Sequence, residues 1–260
     1  MISSSKKNRK QVAVSSVLSA LLGLYCQSVL SAPVSMDDLK DTLKKGHLVV
    51  QAGGFWSAAG QEQFIEINDM VGDRLTLSKS HQSNGLFGIG YFLDGLTKDK
   101  YSLSYGLNAF YLAKISVGGS VFQENEFENL TYNYNITNFP LYAMAKSTIN
   151  MPSVVPPVSV DIGIGPNFMR TTSFSEQNIP VGSAISLPNE FFSNKTTATF
   201  SATAGASLNF HHVFGDAPLE CGYRFFYLGQ GSFDNMSDQV KNTLKTGTVY
   251  ANAVMCSIVI

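Results

Sequence analysis

Residues 197–210, TATFSATAGASLNF, constrain the fold more than any other part of the chain. Taking every second residue puts Ala198, Phe200, Ala202, Ala204, Ala206, Leu208 and Phe210 on one face and Thr197, Thr199, Ser201, Thr203, Gly205, Ser207 and Asn209 on the other. That period of two is a β-strand with one apolar and one polar face. It is about twice the length of a typical globular strand, and its polar face has no Lys or Glu to hold it in bulk water. A strand of roughly ten residues tilted near 45° crosses a bilayer. The stretch reads as a transmembrane strand, with lipid against the apolar side and a packed barrel interior against the polar side.

The same alternation recurs over residues 47–56, 85–93, 101–112, 136–149, 158–168, 219–228 and 247–260. Phe87, Ile89, Tyr91 and Leu93 face out while Gly88 and Gly90 face in; in the next strand Tyr101, Leu103, Tyr105, Leu107, Ala109 and Tyr111 face out. Leu141, Ala143 and Ala145 are outward and Tyr142, Met144 and Lys146 inward. Val158, Val160, Ile162, Ile164 and Phe168 are outward, opposed to Ser159, Asp161, Gly163, Gly165 and Asn167. A turn centred on Thr97 sets Leu93 opposite Tyr101 and Ile89 opposite Tyr105, so outward residues meet outward residues.

Long polar connections (57–84, 113–135, 170–195 and 229–246) alternate with short turns. Within the first, FIEI and RLTL flank NDMVGD as a hairpin above the membrane. Even strand number, short periplasmic turns and long extracellular loops form the bacterial barrel pattern. The fold class is all-β, an eight-stranded antiparallel up-and-down transmembrane β-barrel over residues 47–260. Charged residues at 14%, against roughly 25% in a soluble domain, suit a lipid-facing surface. A soluble lipocalin-type barrel needs charged outer faces, which the strands at 101–112 and 197–210 lack. Outward aromatics gather at the strand ends, Trp56, Phe87, Tyr111, Phe168, Phe200, Tyr227 and Tyr250 at the outer end and Tyr91, Tyr101 and Phe210 at the inner.

Residues 1–32 read as a signal peptide: Lys6, Lys7, Arg9 and Lys10 are basic, 12–25 is an apolar core too short to span, and Ser31-Ala32 offers a cleavage site. Tyr25 is too bulky to precede a lipidated Cys26. Cleavage takes the basic count from 18 to 14 against 19 acids, about −5 for the mature chain, and nothing points to nucleic acid. Residues 33–46 form a short periplasmic lead.

Four inward charges, Lys146, Asp161, Glu220 and Arg224, avoid the cost of about 2 to 4 kcal/mol that a charge facing mid-membrane lipid carries. They read either as salt bridges plugging a filled interior or as a gate on a polar path. Cys221 and Cys256 fall opposite each other on the outward face when the last hairpin is centred near Asp238. They are either a cross-strand disulfide formed in the oxidising periplasm or two small apolar thiols. His211 and His212, adjacent on a short turn, point apart and read as a solvated turn, so no metal or other cofactor is expected.

The GIGYF and DIGIGPNF strands, the signal peptide and the terminal strand together resemble the small outer-membrane barrels of Gram-negative bacteria, the outer-membrane protein A membrane domain and the opacity and protein W barrels. That resemblance implies outer-membrane localisation, lipid and lipopolysaccharide as surroundings, and the barrel-assembly machinery and periplasmic chaperones as biogenesis partners. Such barrels usually end in Phe, whereas this chain ends CSIVI, with Ile258 and Ile260 keeping the alternation. His81-Gln82-Ser83-Asn84 resembles the H-x-S-N segment of the lipid A deacylase barrels. Asp94 lies on the order of 30 Å away along the strand, so an acid from another loop, Glu62, Glu66 or Asp69, is needed to orient His81. The expected role is a non-enzymatic envelope scaffold displaying four long loops whose ligand is unknown. The alternatives are a narrow porin-like channel for small or apolar solutes and a lipid A deacylase.

Overall fold

The computed structural model describes residues 46–67, 72–149, 156–179, 188, 191–214 and 217–260, without the side chains of 211–214. The expected signal peptide and nearly all of the periplasmic lead lie outside the described residues, as do the side chains of His211 and His212. Among the described residues twelve strands follow in order: β1 (Gly46–Ala58), β2 (Gln63–Ile65), β3 (Asp73–Leu75), β4 (His81–Lys98), β5 (Tyr101–Gln123), β6 (Phe127–Ile149), β7 (Val158–Asn178), β8 (Phe192–Ser193), β9 (Lys195–Phe214), β10 (Ala217–Ser232), β11 (Asp234–Asn235) and β12 (Lys245–Val259). The antiparallel order β5-β4-β1-β12-β10-β9-β7-β6 closes on itself through the pairing of β6 with β5. Eight strands make the barrel, and the short β2–β3 hairpin joins its rim through β3 on β5.

The outward face is apolar where a soluble protein would be charged. Ile162 is 65% exposed, Ile164 62%, Phe200 64% and Leu107 60%, a contiguous belt that water would not tolerate. From Phe139 to Ile149 on β6, ten steps of about 3.3 Å at a tilt near 40° give roughly 25 Å, the height of the apolar band of an outer-membrane barrel. All eight strands contribute one ring to the upper girdle: Trp56, Phe87, Tyr111, Phe139, Phe168, Phe200, Tyr227 and Tyr250. Some neighbouring rings touch, with Tyr111–Phe139 centroids 5.1 Å apart, Tyr227–Tyr250 5.6 Å and Phe200–Tyr227 6.3 Å.

Two expectations are corrected. Leu93 faces Tyr105 and Ile89 faces Ala109, because β4 runs on through a bulge after Asp94 to pair Lys98 with Tyr101. The turn is therefore Asp99-Lys100. Both registers keep the parity, so the inward and outward faces are unaffected. The second correction concerns the long connections. Residues 113–135 are not a loop but the upper halves of β5 and β6, joined by a turn over 124–126, and β7 continues to Asn178.

The physical reason is an inversion of pattern at the girdle. On β6 the outward residues change from Thr131, Asn133, Asn135 and Thr137 above to Phe139, Leu141, Ala143 and Ala145 below. The inward ones change from buried Leu130, Tyr132, Tyr134 and Ile136 to Asn138, Tyr142, Met144 and Lys146. Above the membrane the outer solvent is water, so the apolar residues turn inward and build a core with Ile115, Val117, Val121, Phe233 and Phe192. Tyr134 meets Phe233 edge-on at 5.2 Å and Phe174 meets Phe192 at 5.1 Å. The barrel thus carries an ordered cap beyond the girdle, further pinned where the Tyr132 hydroxyl donates to the Thr76 carbonyl at 2.9 Å.

Candidate functional site

The barrel interior is the site that the strand alternation assembles. In its lower half β6, β7 and β10 present Lys146, Asp161, Glu220 and Arg224 inward. Lys146 and Asp161 are direct cross-strand partners, yet each pairs across the lumen with β10. Arg224 Nη2 donates to Asp161 Oδ2 at 2.8 Å, and Nη1 lies 2.7 Å from Oδ1, the second contact electrostatic and without hydrogen-bond alignment. Lys146 Nζ pairs with Glu220 Oε2, and Glu220 Oε1 accepts from the Ser207 hydroxyl.

Gly205 of β9 stands between Asp161 and Arg224 and is register partner of both. A Cβ there would lie 3.1 Å from Asp161 Oδ2 and 3.2 Å from Arg224 Nη2. Its missing side chain is the space in which the ion pair forms. Thr203 Oγ1 accepts weakly from Arg224 Nη1 at 3.4 Å, and the guanidinium carbon sits 5.4 Å from the centre of the Phe110 ring. Around the four charges is a cavity of about 30 Å³, also lined by Gln51, Ser207 and Ser257. That is room for one or two waters.

Directly above, the lumen is filled. Phe110, Tyr142 and Phe226 converge from β5, β6 and β10, with centroids 5.2 to 6.3 Å apart, and Tyr142 and Phe226 are fully buried. The Tyr142 hydroxyl shares a hydrogen bond with Ser201, and Asn108 Nδ2 donates to Gln51 Oε1 at 3.1 Å. Higher still, Asn167 Nδ2 donates to Asn138 Oδ1 and to the Leu228 carbonyl, at 2.9 and 2.8 Å. Polar groups span the cross-section in pairs, and the rings occupy the centre. Sequence reading singled out the charges but not Phe110 and Phe226. A signal existed for Phe110, a glycine facing a bulky inward residue: a Cβ on Gly88 would approach Phe110 to 2.6 Å, as one on Gly163 would approach Met144 to 2.2 Å, whereas Phe226 faces Thr203 and Ala251 and carried no such mark.

On the outer surface the other singled-out residues are apart from this interior. Cys221 and Cys256 are direct partners of β10 and β12 and are joined by a disulfide on the lipid-facing side, with Cα atoms 4.0 Å apart. His81 is exposed at the upper rim, where its Nδ1 shares a 2.8 Å hydrogen bond with Ser80 Oγ. Glu66 offers its main-chain N–H to Asn242 and its carbonyl to Lys241, and Asp69 lies outside the described residues. Among the described residues no group of three His, Cys, Asp or Glu side chains comes together as a metal site.

No family model and no curated protein matches the chain. Solved structures similar to it include the outer membrane protein OprG of Pseudomonas aeruginosa, at 13% identity over 83% of this chain and 96% of that one, TM-score 0.43. The outer membrane protease OmpT of Escherichia coli is similar at 8% identity over 84% and 96%, TM-score 0.42. Neisserial surface protein A is similar at 12% identity over 82% and 96%, TM-score 0.34. Barrels host unrelated activities, so a likeness at this level assigns none.

Proposed function

We propose that this chain is an integral outer-membrane protein whose barrel is a non-conducting, non-enzymatic anchor for the ordered cap above it. The observation that carries this reading is the interior: the paired charges surround a cavity of about 30 Å³, and the buried Phe110–Tyr142–Phe226 layer fills the lumen above it. A lumen closed by buried rings offers no continuous aqueous path. The apolar core continues past the girdle into the cap, so the cap is held rigidly and its surface is what the protein offers to the outside.

An epitope inserted between Glu124 and Asn125, at the turn joining β5 to β6, tests the display. Staining of intact cells is expected, and staining only after permeabilisation would reverse the orientation. Mass spectrometry of lipid A incubated with the purified protein tests the non-enzymatic reading. Unchanged ester-linked chains are expected, and release of a fatty acid that is lost in His81→Ala would overturn it.

A further inference from the structure

Most inward glycines are demanded by their neighbours, as Gly88, Gly163 and Gly205 are. Gly54 and Gly85 are not. They are direct partners on β1 and β4, both are exposed on the outer face, and a Cβ on either would meet nothing nearer than 3.9 Å. Neither has a positive φ. Glycine inside a strand weakens it, and an unforced one marks a place where something else approaches the backbone. Here the pair floors a shallow groove of about 680 Å³ walled by Trp56 and Val254 and rimmed by Ser83 and Asn84.

The groove is a gap in the upper girdle between Trp56 and Phe87. Its floor and walls are apolar. Its upper rim is polar and then cationic: Asn84 Nδ2 donates at 2.8 Å to the main-chain carbonyl of Lys114, whose side chain is exposed, and Lys79 is exposed beyond it. No carboxylate lines the groove. An apolar slot under a cationic lip is the complement of an amphiphile with an acyl chain and an anionic head.

We propose that this groove seats one acyl chain of a phosphorylated glycolipid of the lipopolysaccharide class, with its phosphate on Lys114. The proposal rests on the loop side facing out of the cell, as read above, but its test in vesicles does not depend on cellular orientation. Trp56 is the one tryptophan of the chain, so fluorescence reports on the groove wall alone. The protein is reconstituted in phosphatidylcholine with brominated acyl chains, which quench Trp56, and unbrominated lipid A is titrated in.

Emission is expected to recover and saturate at stoichiometric lipid A, well before bulk dilution of the quencher. Lys114→Glu, outside the membrane, should raise the lipid A required about tenfold, the worth of one charge-assisted contact. Gly85→Leu, its folding checked by electrophoretic mobility of the unboiled protein, should abolish the saturable part. The proposal is overturned if recovery only follows bulk dilution, or if phosphatidylglycerol restores emission equally well. Recovery that depends on protein density without lipid A would also overturn it, by placing a second barrel in the groove.

Discussion

Removing the Asp161 carboxylate while leaving Arg224 is the sharpest perturbation of the interior. Both residues are almost fully buried, at 7% and 6% exposure, and the guanidinium would keep only the 3.4 Å contact to Thr203 and the Phe110 ring face. Breaking one side of a buried ion pair costs about 3 to 5 kcal/mol, whereas replacing both partners by apolar residues is often neutral. The cavity beside the pair admits a water, which places Asp161→Ala at the lower end, about 3 kcal/mol. At a denaturant slope near 2 kcal/mol/M, the urea midpoint falls by about 1.5 M. Reversible unfolding in lipid vesicles, followed by Trp56 emission, reads it. The double variant Asp161→Leu, Arg224→Met should recover most of the loss. A cost below about 1 kcal/mol for the single variant, typical of an exposed pair, would refute a sealed, low-dielectric interior.

Three further outcomes follow from the same geometry. Gly205→Val pushes a side chain between Asp161 and Arg224 and should destabilise about as much as Asp161→Ala without adding to it in the double variant, since both remove one pair. Burial raises the Tyr132 hydroxyl to about 12, with Glu62 adding to it, and raises Tyr134 as well. A raised folded-state value means stability fully present below the unfolded value near 10 and lost as pH rises through 12. The cap should therefore become protease-sensitive between about pH 10 and 12 while the barrel strands stay protected. Thiol titration of denatured, unreduced mature protein should find neither Cys221 nor Cys256 free. A water-soluble reductant should release them only when added before insertion, because lipid covers the bond.

The membrane half of the fold was legible because one solvent pair, lipid outside and packed side chains inside, governs it. Tyr142, Met144 and Lys146 on β6 and Val158 to Phe168 on β7 show an unbroken period of two. The upper half was hidden by the exchange of solvents at the girdle. Leu130, Tyr132 and Tyr134 are apolar on the face that is polar further down, so the pattern breaks although the strand does not. The β4–β5 register slipped by four residues because Asp99-Lys100 lacks the Asn-Gly or Asp-Gly signal of a tight hairpin. In the interior, the charges stood out as exceptions on small polar faces. Phe110 and Phe226 did not, because which rings meet across a lumen depends on closure, a property no single strand carries. Gly54 and Gly85 looked like any other strand glycines until the space around them could be compared.

Ion conductance of the folded protein in a planar lipid bilayer tests the sealed interior most directly, with Phe110→Ala, Phe226→Ala as the comparison. The wild-type barrel should be silent across the voltage range, and the double variant should show discrete steps once the central rings are removed. Steps of defined size from the wild type, altered by substitution of Asp161 or Arg224, would contradict the account and make the charged interior a conduit.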